Sequence, residues 1–433
     1  VITHPVLTRL AASGVKLGLE RMQSFLVALG EPHRAYPVVH VAGTNGKGST
    51  CTLVTHALVA AGYRVGTNLS PHVEHVNERF RIDGVPIDDA SLVSAIEHLD
   101  RTRSDWSEQV SAAHDGREAL TYFEFATALA FQLFAQRGVQ IAVIEVGMGG
   151  RLDATNVVSP NVCAIPSIGL DHMAELGDTV EAIAGEKAGV IKRGGPVVIG
   201  VMPEGARQVL ERRAKAVGVP IWRPGPDLQR ELRKGRWNLR TPEGRLDDVA
   251  LALQGEHQGN NALVALGVLH VLRRQGFVIP DDAIRDGFGR ATLEGRLETP
   301  MPGLVIDGAH NEDGAKVLAR WLATRPRPKN RILLLGMGRE RDPLTVVGPL
   351  LPHFDEVVTT ACAHPKAADP AALAARLQEL DIVLAEGGPI EEALPEVYAE
   401  ADETVVAGSL FLAGAARAVV RSGALQGITP GGR

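Results

Sequence analysis

Short apolar runs alternate with segments of helical period along most of the chain, and that alternation predicts strands separated by helices. Residues 14–30 place Leu17, Met22, Leu26 and Leu29 near helical spacing and end at Gly30, a C-cap signal. Val38, Val39 and Val41 make a short buried strand. Leu53, Val54, Ala57, Leu58 and Ala61 give residues 52–61 one apolar helical face that stops at Gly62, and 63–68 read as the next strand. This is a strand–helix–strand unit of the doubly wound class. A loop with the alternating stretch Arg79 to Ile82 follows, then a helix over 89–100 and a polar, mobile connection over 102–116. Residues 120–134 and 178–191 are expected as helices, and 139–147, 162–168 and 196–201 as strands. Residues 220–253 change to short polar and basic pieces, predicting a small antiparallel insertion, before helices over 258–275 and 281–291. Two prolines and two glycines in 293–303 mark a linker. Beyond it, runs at 304–307, 331–335, 356–360, 382–385 and 404–407 predict the strands of a second α/β domain. The expected organisation is a doubly wound, mostly parallel sheet with a small β insertion over 1–294, and a smaller Rossmann-like α/β domain over 295–433.

Composition narrows this modestly. A chain of 433 residues exceeds what one core serves, which agrees with two domains. With 45% hydrophobic and 22% charged residues and no apolar run near the roughly 18 residues of a membrane span, no membrane role is expected. A formal charge of −6 gives no electrostatic footprint for nucleic acid. Three scattered cysteines form no C-x-x-C pair, and the opening VITHPVLTRL carries no export-signal pattern, so a reducing cytoplasm is expected.

Candidate chemistry concentrates in VVHVAGTNGKGSTC, residues 38–51. Gly43, Gly46 and Gly48 free backbone N–H groups to turn onto an anion, Lys47 adds a mobile cation, and Ser49 and Thr50 offer hydroxyls where a helix starts. The common phosphate loop is G-x-x-x-x-G-K-[ST]; here Gly48 intervenes between the lysine and the hydroxyl. Glu145 ends an apolar strand, where carboxylates face the ligand crevice, and is a magnesium candidate. On pattern alone, Phe123 in TYFEF reads as core packing and His172 as an ordinary polar histidine.

The inserted glycine resembles the loop of the ATP-dependent Mur ligase superfamily. In order, KLGLERM, HVAGTNGKGST, SPHVEHVNERFRIDG, TYFEFAT, EVGMGGRLDATN, SIGLDH, EKAGVIK, HQGNNA, EGRLE and IDGAHN resemble the bifunctional dihydrofolate synthase/folylpolyglutamate synthase family over essentially the whole chain. The resemblance implies a P-loop ATPase-type first domain. It puts ATP on Thr44, Asn45, Gly46, Lys47, Gly48, Ser49 and Thr50, with Asn261, Arg296 and Asp307, and magnesium on Ser49, Ser70, Glu145 and His172. It puts the pterin on Leu17, Gly18, Phe123, Asp153 and Ala154, and the acceptor near His310 and Ser409. Lys47, Lys187 and His310 would be catalytic. Lys187 matches a lysine that is often carbamylated; an unmodified amine paired with an anion is the other reading. Asn261 as a helix cap and Arg296 as part of a linker ion pair are the plainer alternatives. The resemblance also leaves room for a second magnesium and a monovalent cation. This chain departs from the family pattern at Asn311-Glu312, at Gly338 to Asp342 and at Leu293 to Arg296, which touches acceptor and nucleotide contacts.

The implied reaction is ATP-dependent joining of L-glutamate to dihydropteroate, or to the terminal γ-carboxylate of a folate, through an acyl phosphate. A monomer is expected. Two rivals carry different predictions: a Mur-type ligase acting on another carboxylate, such as a uridine-linked peptide, and a nucleotide-switched binding protein without turnover.

Overall fold

The computed structural model describes residues 4–11, 14, 16–113 and 120–432. They form two units, one of residues up to 252 with 258–292, the other of 253–257 with the residues from 293 on. The first is built on an eight-stranded sheet: β1 (Val38–Val41), β2 (Val65–Asn68), β3 (Phe80–Ile82), β4 (Val85–Pro86), β5 (Ile141–Glu145), β6 (Val162–Ile165), β7 (Val197–Ile199) and β8 (Ile221–Trp222). Its order is β4-β3-β2-β5-β1-β6-β7-β8. The strands from β2 to β8 run parallel, and the β3–β4 edge is antiparallel. Every residue of β1, β5 and β6 is buried. Helices cover both faces of such a sheet, which is why these strands read as continuous apolar runs.

On one side Met22, Phe25, Leu26, Phe125, Phe131 and Phe134 pack into one core; Ile183, Val190, Ile191 and Leu210 belong to another. Each fully buried phenylalanine or leucine there contributes about 1.5–3 kcal/mol relative to exposure. Helix Asp281–Arg290 lies directly on helix Lys47–Ala60, and a Cβ at Gly287 would meet the Ala57 backbone. That close approach locks the helix that follows the glycine loop.

The smaller insertion is a three-stranded antiparallel sheet of β9 (Gln229–Arg233), β10 (Arg236–Thr241) and β11 (Gly244–Val249). Residues 221–222 are not part of it, because they pair with β7 at the edge of the main sheet. The second unit has β12 (Glu298–Met301), β13 (Leu304–Ile306), β14 (Arg331–Leu335), β15 (Glu356–Ala361), β16 (Val383–Pro389) and β17 (Glu403–Ala407) in the order β12-β13-β17-β14-β15-β16. The stretch expected as a linker therefore contains a strand, β12, antiparallel to β13.

Two other expectations fail. Residues 102–113 are not a polar connection but the second half of helix Asp89–Ala113; residues 114–116 lie outside the described residues. The helix persists because Trp106 is buried, packs edge-on against Phe25 with ring centroids 5.3 Å apart, and donates from Nε1 to Ser24 Oγ at 3.0 Å. Leu17 is not on the first helix's apolar face; helix Glu20–Ala28 begins after it, and Leu17 is exposed. Among the described residues, no helix is long and apolar enough to cross a membrane.

Candidate active site

The carboxyl ends of β1, β2, β5 and β6 carry the polar groups. Gly46, with φ +81°, caps helix Lys47–Ala60, so the helix starts at Lys47 and its first N–H groups face out of the loop. The helix thus starts two residues before Ser49, the first hydroxyl expected at its start. A Cβ at Gly46 would run into the Asn261 amide, so this position requires glycine for space as well as for φ. Gly43, φ +147°, lies against Ser167 O.

The loop is held by its neighbour after β6. Thr44 N donates to Ser167 O at 2.9 Å, Asn45 N to Ser167 Oγ at 3.0 Å, and Ser167 Oγ to Asn45 O at 2.9 Å. Thr44 Oγ1 donates to Gly169 O and accepts from Gly169 N, at 3.1 and 3.0 Å. That clamp fixes the GLDH loop beside the glycine loop. His172, three residues on, takes a left-handed backbone (φ 50°, ψ 43°), sparsely populated for a non-glycine residue and characteristic of functional loops.

Two lysines share the site. Lys47 Nζ donates to Thr44 O at 3.0 Å, and Lys187 Nζ, on helix Val180–Ala188, donates to Gly43 O at 2.8 Å. Burial, helped by repulsion from Lys47, pulls the Lys187 amine down to about 7. Glu145 is buried and pairs in register with Val41 on β1, and its Oε2 accepts from Ser70 N at 2.8 Å. Ser70 Oγ is buried with no hydrogen-bond partner. Gln258 was missed in the sequence; its Nε2 donates to Ser49 Oγ at 3.3 Å and its Oε1 accepts from Asn261 Nδ2 at 2.8 Å. Its signal was the i, i+3 spacing to Asn261 on helix His257–Arg274.

The loop after β5 forms a second wall. Phe123 is partly buried, and a Cβ at Gly147 would strike its ring. Asp153 is buried and its carboxylate accepts from Met148 N at 2.9 Å, Thr155 N at 3.0 Å and Thr155 Oγ1 at 2.5 Å. Burial raises its pKa. Ala154 is buried beside it, whereas Leu17 and Gly18 lie in the irregular stretch before the first long helix.

The second unit carries its own edge. Asp307 is buried and accepts from Leu297 N and Ala309 N, both at 2.8 Å, so it braces the turn that holds Arg296. His310 Nδ1 donates to Gly308 O at 2.8 Å. Ser409 caps helix Leu410–Arg421, and Gly408 N donates to Ala309 O at 2.8 Å, tying the His310 and Ser409 turns together.

Comparison with known proteins agrees with this geometry. Residues 114–269 match the Mur ligase middle domain, and residues 296–418 match the C-terminal domain of dihydrofolate synthetase. A glycine loop of this type on such a sheet, joined to such a second domain, defines an ATP-dependent ligase of the Mur type. The dihydrofolate synthase/folylpolyglutamate synthase of Mycobacterium tuberculosis is 36% identical over 390 residues, covering 86% of this chain and 80% of that protein. The Escherichia coli FolC structure with DHPP and ADP superposes with a TM-score of 0.86 at 30% identity, over 96% of this chain and 97% of that one. The structure of a bifunctional folylpolyglutamate synthase/dihydrofolate synthase with Mn, AMPPNP and L-glutamate bound gives 0.84 at 31%, over 97% and 98%. The chain belongs to the dihydrofolate synthase/folylpolyglutamate synthase family.

Proposed function

We propose that the chain uses ATP to phosphorylate the carboxylate of dihydropteroate, or the terminal γ-carboxylate of a folate, and passes the acyl group to the amine of L-glutamate. A carboxylate repels nucleophiles; phosphorylation gives it a leaving group. The bond formed is the amide, the bond broken is acyl–phosphate, and the ammonium proton leaves to solvent as ADP and phosphate are released. The observation that carries this reading is that Lys47 and Lys187 both hold carbonyls of the glycine loop, with the buried Glu145 in register with Val41, at the end of the strand that feeds the loop. Cations and oriented N–H groups stabilise the charge that develops on a transferring phosphoryl group.

Thr44 to Thr50, with Asn261, would hold the nucleotide, and Arg296 and Asp307 would contact it. The residues present fit magnesium: an unpartnered buried hydroxyl on Ser70 and a buried carboxylate on Glu145 suit a hard cation that keeps several waters, with Ser49 as a further oxygen and His172 as the one imidazole. Among the described residues no group of three or more His, Cys, Asp or Glu could form a closed cage. Bound there, the ion supplies Lewis-acid polarisation of phosphoryl oxygens. Leu17, Gly18, Phe123, Asp153 and Ala154 would receive the pterin, with Phe123 as the stacking face. His310 and Ser409 would serve the incoming glutamate. The Lys187 amine would take up carbon dioxide, becoming an anionic oxygen ligand, and a monovalent cation is a further ion of this site.

Gln258→Leu tests the nucleotide side. Losing the link to Ser49 and Asn261 will raise KM for ATP about tenfold, the worth of one hydrogen bond, with KM for the pterin acid unchanged. The whole reading is tested by phosphate release with dihydropteroate, a folylglutamate or a uridine-linked acid, each with and without L-glutamate. Phosphate and a product heavier by one glutamyl unit will require both a pterin acid and L-glutamate. Turnover with the uridine-linked acid, or nucleotide binding without turnover, overturns it in favour of the rival readings.

A further inference from the structure

His40 sits in the middle of β1, two residues before the glycine loop begins at Ala42, and is fully buried in an otherwise apolar strand. Burial keeps its ring neutral, with a pKa lowered to about 3. A neutral imidazole on a valine strand needs a partner, and its partner is remote in sequence: Nε2 lies 2.9 Å from Thr155 Oγ1, 115 residues away. Thr155 Oγ1 donates in turn to Asp153 Oδ1, while Asp153 Oδ2 accepts from Met148 N and the carboxylate also draws on the Gly147 N–H.

The direction of the chain follows from the donors. Since the hydroxyl proton goes to the carboxylate, the hydroxyl oxygen must accept from His40 Nε2–H, and Nδ1 is then a bare acceptor. Nδ1 is the buried atom without a hydrogen-bond partner. An unpaired acceptor is the less costly orphan, so the tautomer and the geometry agree. The result is a rigid line from the strand that feeds the glycine loop to the carboxylate that closes the 147–155 loop.

We infer that His40, acting through the Thr155 hydroxyl, is a positioning residue for Asp153 and the 147–155 loop, and thereby sets recognition of the heteroaromatic acid. This rests on the pterin side of the proposed function. His40 touches neither substrate; its effect passes through Thr155, and the same line anchors the pterin loop to the strand on which the nucleotide loop is built.

The test uses the full chain and steady-state KM values for dihydropteroate and for ATP. His40→Leu will raise KM for dihydropteroate about tenfold, as the loss of one buried hydrogen bond predicts, and Thr155→Val, which removes two, at least as much, each with KM for ATP within about twofold. Thr155→Ser, which keeps the hydroxyl, will restore it. The double variant will be no worse than Thr155→Val alone, because both cut the same line. If Thr155→Val does not fold, His40→Leu reads the link from its other end. KM values for ATP and pterin rising together, or a fully additive double variant, overturn the inference. Asp153→Asn separates the two levels: if it leaves KM for dihydropteroate unchanged, the pterin reading itself fails; if it raises that KM while Thr155→Val does not, only the positioning role fails.

Discussion

Replacing Lys47 with methionine will lower kcat about 10²–10³-fold, the usual loss when one group stabilising developing charge is removed. The variant keeps the apolar stem and the helix, so the glycine loop stays formed. Its backbone N–H groups and the helix dipole, worth about 0.3–1 kcal/mol to an anion, remain to bind nucleotide. ADP affinity should therefore fall far less than turnover. Lys47 Nζ donates to Thr44 O, so the variant will lose no more stability than the roughly 0.5–1.5 kcal/mol of one hydrogen bond. The measurements are single-turnover phosphate release, calorimetric ADP binding and a thermal melt. A fall in kcat below tenfold, or a loss of ADP affinity that matches the loss of turnover, removes Lys47 from the phosphoryl-transfer role.

Local features of this site were legible in the sequence, and those that depend on long-range pairing were not. The glycine loop is a local device: three glycines, a lysine and two hydroxyls in the right order after a valine strand define it without tertiary knowledge. Glu145 was legible because a carboxylate closing an apolar run has few structural explanations. Gln258 and Ser167 stand in the HQGNNA and SIGLDH stretches, but their bonds to Ser49 and Asn45 were not readable, since each partner is more than a hundred residues away. His40 was hidden by its setting, a single polar residue in a strand whose other positions are valines. The same logic explains the misread helix at 102–113, where one buried tryptophan outweighs a polar composition. Asp153 shows a different limit. Its residue type invites a substrate contact, and what the sequence did not carry is that its oxygens also accept hydrogen bonds from the loop that it organises.

Stripping carbon dioxide and bicarbonate from the protein at pH 8 will lower turnover at least about tenfold, and bicarbonate will restore it; Lys187→Ala will lose about 10²–10³-fold and ignore bicarbonate. The cause is the amine's pKa. An ordinary lysine near 10.4 is almost wholly protonated at pH 8 and cannot attack carbon dioxide. With its pKa near 7, the Lys187 amine is roughly nine-tenths neutral there. In the proposed modification its nitrogen lone pair attacks the carbon, a proton leaves to solvent, and a carbamate anion remains. That exchange also reverses an electrostatic sign: Lys47 opposes a cation at this position but attracts an anion, so the modified side chain relieves the repulsion that lowered the pKa. Stability follows the same proton in protein freed of carbon dioxide. Between about 7 and the ordinary lysine value the unfolded chain holds a proton that the folded chain lacks, so unfolding takes one up and stability rises with pH across that window. Lys187→Met flattens the rise. Wild-type turnover indifferent to bicarbonate, with no carbamate resonance after exposure to isotopically labelled bicarbonate, leaves Lys187 as an unmodified amine held on Gly43 O, and its catalytic part then reduces to holding the glycine loop in place.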